Sequence, residues 1–375
     1  RICWEKEEEN MNKHRPTAGY ENILELSPNY TYSDYSDYYD TEVAEEHQRE
    51  TLHLVSIVVY TISFVFGLIG NGLVIWVMTF KMKMSVKTVW FLNLAIADFV
   101  FVLLLPLSID YVFKNFHWNF GRSFCKITSF VSLLNMFASV GFLTVISLDR
   151  YLSLVHLTWS QKYRSPLNAF KLSLGVWVMA GALASPSLHF RDTIHVGDRV
   201  ICFNNFHESN YSMAQLRHII LVCVRFACGF LLPFITMVVT CILLALKLRY
   251  RGLPMLSNFS KTVSAVIIAF FICWTPYHVF SLMELLVHSH ESPMLHNILR
   301  TGFPLATSLA FLNSCLNPIL YVLMGKKVKD VIGKSFSVVM KNALRDRSQS
   351  GTDTEAVPNS FCTETEVECI RLSSV

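Results

Sequence analysis

Seven long apolar stretches, near residues 52–80, 89–113, 124–155, 169–190, 218–247, 259–287 and 298–324, constrain this chain more than any other feature. A helix rises about 1.5 Å per residue, so each stretch can cross a hydrocarbon core about 30 Å thick. A single run of this kind could be a buried helix in a large soluble protein. Seven in series, joined by short polar loops, point instead to an all-α membrane protein, a seven-transmembrane helix bundle. The chain is 52% hydrophobic and only 16% charged, outside the balance of soluble domains.

Lysine and arginine set the orientation. Lys81, Lys83 and Lys87 follow the first run, Lys162, Arg164 and Lys171 the third, Lys247, Arg249, Arg251 and Lys261 the fifth, and Lys326, Lys327, Lys329 and Lys334 the seventh. The opposite loops are poorer in cations and diluted by acids, so the N-terminus is expected outside and the C-terminus in the cytoplasm. Residues 1–51 then form an external arm with 13 Asp and Glu against 5 Lys and Arg, expected to be disordered. Its "NYTYSDYSDYYD" segment, Asn29–Asp40, sets five tyrosines among three aspartates, a setting that suits tyrosine sulfation. No cleavable signal peptide is read in the arm, so the first helix is expected to act as its own insertion signal.

Residues 52–324 are the bundle. Residues 325–341 read as an amphipathic helix on the inner leaflet, with Val328, Val331, Ile332, Phe336 and Val339 on one face. Residues 342–375 form a Ser/Thr-rich tail. Asn29 and Asn210 lie in external glycosylation sequons. Cys125 and Cys202 both face the oxidising side, where they can pair or leave Cys202 free.

Polar groups inside a span are costly, and functional more often than not. Asp98 is an acid in the middle of the second run. Asn135 and Ser139 lie one turn apart on the third, and Asn313 and Asn317 one turn apart on the seventh, at a similar depth. Oxygen atoms grouped around one carboxylate suit a hard cation such as Na⁺; the competing reading is a satisfied interhelical hydrogen-bond cluster. Pro186, Pro233, Pro276 and Pro318 interrupt the helices. No nucleotide loop, metalloprotease motif or nucleophilic triad is present, so the chain does not read as an enzyme. A transporter would use broken helices too, but no internal repeat is visible.

Together these residues resemble the rhodopsin-like (class A) G protein-coupled receptors: "GNGLVIW" with Asn71, "LNLAIAD" with Asp98, Cys125, "DRY" at Asp149, Arg150 and Tyr151, Trp177, Pro233, "CWTP" ending at Pro276, and "NPILY" at Asn317–Tyr321. Within that family, "WFLNLAIADF", "LNMFASV", "SPSLHFRDT" and "AFLNSCLNPILYVL" resemble the chemerin receptor group. Leu157 and Val328 depart from the family pattern, which usually has Pro and Phe there.

The resemblance implies an activation relay through Asp149, Arg150, Tyr151, Phe270, Trp274, Pro276, Asn317, Pro318 and Tyr321, with Asp149 able to pair with Arg150. It also implies an outer pocket. Arg191 and Arg225 would receive a ligand's C-terminal carboxylate, with Glu284 facing the same vestibule and Tyr111, Phe116, Trp118, Phe190 and Tyr277 lining it. An internal Arg225–Glu284 pair is the alternative. The implied ligand is a secreted chemoattractant protein, chemerin, whose C-terminal peptide enters the pocket; the implied effectors are an inhibitory heterotrimeric G protein and arrestins. An arrestin-coupled scavenging receptor and a receptor for another chemoattractant peptide or lipid mediator are the other readings.

Overall fold

The computed structural model describes the backbone of residues 32–206, 210–252, 258–287 and 293–324, and the side chains of 51–206, 210, 212–252, 263–285, 294–295 and 297–318. Seven spans run through it. The first is α1 (Tyr32–Trp76), which continues as a π-helical turn, Val77–Lys81. The second is α2 (Val86–Val102) followed by α3 (Leu105–Phe113), and the third is α4 (Gly121–Val155). A short α5 (Leu157–Tyr163) leads to the fourth, α6 (Pro166–Ala184) with α7 (Pro186–Phe190). A hairpin of β1 (Arg191–Val196) and β2 (Arg199–Asn204) precedes the fifth, which is α8 (Tyr211–Phe226), a π-helical turn Ala227–Leu231 and α9 (Leu232–Tyr250). The sixth is α10 (Asn258–Val287) and the seventh α11 (Pro293–Met324).

Six of these spans are long and apolar enough to cross a membrane by composition. The seventh, α11, has the length but carries Asn313, Ser314 and Asn317, which dilute its hydropathy and are buried toward the bundle. The second, fourth and fifth spans begin about three to seven residues earlier than apolarity suggests, because polar caps rather than greasy residues start them. Ser85 accepts from Thr88 N at 3.2 Å, Ser165 from Asn168 N at 3.2 Å, and Asn210 from Met213 N at 3.0 Å. Asn210 caps through Oδ1, so its amide nitrogen, the atom that carries a glycan, is not the capping atom. Helix α1 starts at Tyr32, well inside the arm expected to be disordered. The stretch "EVAEEHQRE" consists mostly of good helix formers, and extending an existing helix avoids the cost of nucleating one. Residues 1–31 and 325–375, including Asn29, the amphipathic segment and the tail, lie outside the described residues.

Prolines shape the spans. Pro186 and Pro233 sit at the first turn of α7 and α9, each just past a break or π-turn that accommodates the missing N–H. Pro276 and Pro318 lie inside α10 and α11. Pro106, not singled out from the sequence, follows the break between α2 and α3 in the same way.

Burial is inverted relative to a soluble protein. Val55, Val58, Ile62, Val65 and Ile69 of α1 form an exposed stripe toward lipid, while Ser56, Tyr60, Ser63 and Asn71 are buried. Close backbone approach holds α1 to its neighbours: a methyl group added at Gly67 would come 2.7 Å from Val102, and one at Gly70 would come 2.8 Å from Pro318. Polar side chains complete the contacts between helices. Asn71 Nδ2 donates to Ser314 O at 2.8 Å, Trp177 Nε1 to Asn93 Oδ1 at 2.9 Å, and Ser147 and Thr240 share a hydrogen bond of 2.7 Å.

Candidate functional site: an outer cation cluster above a buried polar relay

The outer loop is a braced lid. Residues Arg191–Val196 pair antiparallel with Arg199–Asn204 around the two-residue Gly197–Asp198 turn, which places Cys202 opposite Thr193. Cys202 forms a disulfide with Cys125 near the start of α4. Trp118 is only 4% exposed in a small apolar cluster with both cysteines, and its indole donates to Gly121 O at 2.8 Å. Trp118 N also donates to Val200 O at 2.7 Å. The pocket-lining role expected for Trp118 therefore gives way to a bracing one: its faces are already covered. Phe116 adopts a left-handed φ of 62° and packs edge-on against Tyr111, which itself meets Trp118. Phe190 lies against Phe206, with the Arg217 guanidinium 5.7 Å above its ring.

The hairpin fixes Arg191 as its first residue, where Nε donates to Ser129 Oγ on α4 at 2.6 Å. The next residue, Asp192, is held by Arg122 through contacts of 2.7 and 2.8 Å, so the acid beside Arg191 on the hairpin is already neutralised. Arg225 lies at the inner end of α8, half-buried, and its Nη1 donates to Tyr277 Oη on α10 at 2.8 Å. No Arg225–Glu284 ion pair exists; Glu284 instead meets His218 Nε2 at 3.9 Å. Among the described residues, then, the Arg225 cation is matched to a neutral phenol and not to a carboxylate. The alternative of an internal pair with Glu284 is thereby corrected, because α8 presents His218, two turns nearer the outside, at the level of Glu284.

Arg225 is wired downward by ring contacts. Tyr277 stands edge-on to Trp274 at 5.6 Å between centroids, and Trp274 lies 5.9 Å from Phe270, both rings being buried. His278 was missed in the sequence reading. It is 1% exposed, touches the rings of Phe226, Phe230, Trp274 and Tyr277, and its Nε2 has no hydrogen-bond partner among the described residues. A titratable residue one turn from Trp274 in an apolar helix was the signal that could have found it.

The residues singled out around Asp98 do come together in part. Asp98 is fully buried and accepts from Asn135 Nδ2 at 2.9 Å and Asn317 Nδ2 at 2.7 Å. Ser314, unremarked in the sequence, reaches Asn135 Oδ1 at 3.4 Å. Among the described residues, Ser139 Oγ, Asn313 Oδ1 and Asn317 Oδ1 are buried without hydrogen-bond partners.

At the cytoplasmic end one expectation is overturned. Asp149 does not pair with Arg150; its carboxylate takes a two-pronged bond from Arg164, Nε to Oδ1 at 2.8 Å and Nη2 to Oδ2 at 3.0 Å. The planar guanidinium fork fits a carboxylate in a way that an adjacent residue on the same helix does not. Arg150 itself is buried, 7% exposed. The backbone of Tyr321 lies in α11, but its side chain is outside the described residues.

Comparison with known proteins places this geometry. Residues 70–321 match the family model described as the 7 transmembrane receptor (rhodopsin family). The chain is 48% identical to the "Chemerin-like receptor 2" of Rattus norvegicus over 337 residues, covering 89% of this chain and 94% of that protein. It is 45% identical to the protein of the same name from Macaca fascicularis over 342 residues, 91% and 95% of the two chains. Identity to the "Chemerin-like receptor 1" of Homo sapiens is 40% over 333 residues, 84% and 88%. The family is one of receptors, not enzymes, and together with the long apolar helices of this chain it makes the chain a multi-pass protein of the plasma membrane. The chain belongs to the rhodopsin family of seven-transmembrane receptors, in its chemerin-like receptor group.

Proposed function

We propose that this receptor binds a secreted chemoattractant protein, chemerin, through that protein's C-terminal peptide, and transmits binding to an inhibitory G protein and to arrestins. The observation that carries the reading is Arg225: a half-buried guanidinium, bonded to Tyr277 and facing no carboxylate among the described residues. A cation held at that depth is costly unless an anion completes it, and a peptide carboxylate is such an anion. Arg191, held by Ser129, would meet the same chain nearer the mouth. Ligand engagement at Arg225 would tilt Tyr277 against Trp274 and bias α10, already weakened at Pro276. The acidic external arm would draw in a basic ligand and speed its arrival.

Paired dose-response curves for a chemerin C-terminal peptide, recording cAMP suppression and arrestin recruitment, test this directly. Responses in both channels are expected. A response in arrestin alone would establish the scavenging receptor; silence in both at normal surface expression would remove chemerin as the ligand.

We infer also that the Asp98 cluster takes Na⁺. The support is chemical fit: one buried carboxylate with three orphaned oxygen atoms, Ser139 Oγ, Asn313 Oδ1 and Asn317 Oδ1, on the helices that surround it. Bound Na⁺ would tie α2, α4 and α11 into this arrangement and so oppose agonist. Replacing K⁺ by Na⁺ at constant ionic strength is expected to weaken agonist binding by about fivefold or more, and Asp98→Asn to abolish the difference. Equal binding in the two salts for the unaltered receptor would refute the site.

A further inference from the structure

On the cytoplasmic side, between the ends of α4 and α9, lies an open cleft of about 550 Å³. Its walls are apolar at depth, from Val155, Leu243 and Leu246, and polar toward the cytoplasm, from His156, Lys247 and Tyr250. Leu243 and Leu246 are 42% and 59% exposed, and Tyr250 is 86% exposed, so the groove opens sideways to the bilayer as well as to its surface. Leu243 and Tyr250 are separated by about 10 Å along α9, the distance from acyl chain to headgroup.

Charge distinguishes this groove from an ordinary greasy helix face. Lys247 Nζ sits 5.7 Å from the centre of the Tyr250 ring and meets no carboxylate among the described residues. Arg249 and Arg251 follow it. No Asp or Glu occurs between residues 150 and 191 or between 236 and 262, the two segments that flank the groove. The nearest acid in sequence, Asp149, is already neutralised by Arg164. A lysine at the mouth of an apolar slot, followed in sequence by two arginines and flanked by segments without acids, is complementary to the negative inner leaflet. A second copy of this chain is disfavoured as the occupant of a symmetric contact, since it would bring one set of these cations against the other.

We propose that this cleft binds an anionic phospholipid of the inner leaflet, with an acyl chain against Val155, Leu243 and Leu246 and the headgroup phosphate at Lys247 and His156. Tyr151, next to Arg150, lines the same cleft, so an occupied site would steady the end of α4 that carries the Asp149–Arg164 pair. The proposal does not depend on which ligand occupies the outer pocket.

The test is native mass spectrometry of the purified full-length receptor, presented with equal amounts of phosphatidylserine and phosphatidylcholine. Unaltered receptor should retain phosphatidylserine over phosphatidylcholine by about fivefold or more. Lys247→Gln should bring the ratio close to one, Lys247→Arg should keep the preference, and Leu246→Trp, which fills the slot but leaves the charge, should reduce retention of both lipids. Lys171→Gln, at the cytoplasmic end of α6, should change nothing. Equal retention of the two lipids by the unaltered receptor, or a preference untouched by both Lys247→Gln and Leu246→Trp, overturns the proposal. Loss of a receptor dimer in Leu246→Trp with lipid retention unchanged would assign the cleft to a second copy and overturn it equally.

Discussion

Arg225→Ala should raise the peptide concentration for half-maximal response by about a hundred- to a thousandfold, with surface expression within about twofold of the unaltered receptor. Removing one partner of a buried, hydrogen-bonded charge pair costs roughly 2–5 kcal/mol, and each 1.4 kcal/mol is a factor of ten in affinity. The folded receptor itself should suffer little, because Arg225 bonds to the Tyr277 hydroxyl rather than to a carboxylate, and Tyr277 keeps its ring contacts with Trp274 and Phe303 without it. Arg225→Lys restores the charge but not the fork, so potency should recover only in part and stay about tenfold or more below that of the unaltered receptor. Radioligand displacement and surface labelling on the same cells separate the two effects. Parallel losses in binding and surface expression would show that Arg225 serves folding, and would remove the carboxylate-receiving role.

The second large effect is expected at the lid. Cys202→Ser opens the bond to Cys125 across 77 residues of chain, for which loop-closure entropy gives about 4.5 kcal/mol. Helices already inserted in the membrane restrict the unfolded chain, so that figure is an upper bound on global destabilisation. The local consequence is larger. The hairpin's other ties are single hydrogen bonds, among them Trp118 N to Val200 O, Val200 N to His117 Nδ1 and Arg191 Nε to Ser129 Oγ, together with the Arg122–Asp192 pair on an exposed arginine. Without the covalent tie to α4, the hairpin holds Arg191 over Ser129 only through these weaker contacts. Peptide affinity is expected to fall by about a hundredfold or more, together with surface expression. Mild reduction of the mature receptor at the cell surface should reproduce the loss of affinity without the loss of expression. Unchanged peptide affinity after reduction would mean that the hairpin does not order the site.

Much of the site was legible in the chain. Asp98, Asn135 and Asn317 stand out because hydrocarbon makes an unexplained polar side chain expensive, and Trp274 and Pro276 because a proline within a span leaves a mark on any apolar helix. Cys125 and Cys202 could be paired by the side of the membrane they share. Other features gave no such signal. Ser314 looks like any small helical residue until Asn71 and Asn135 are seen to use it. Pro106 sits so near the polar end of its run that its break between α2 and α3 has no signature in hydropathy. Trp118 reads as a pocket aromatic and proves to be a brace, because burial depends on what folds back over it.

The sequence by itself determined the number of spans, their orientation and the polar residues that must face inward, since a bilayer allows few alternatives for backbone and charge. Partner choice was decided only by the tertiary structure. Asp149 turned to Arg164 rather than Arg150, Glu284 to His218 rather than Arg225, and Asp98 to an asparagine 219 residues away. Hydrogen bonds and ion pairs act over about 3–4 Å, and helix packing alone sets which side chains come that close.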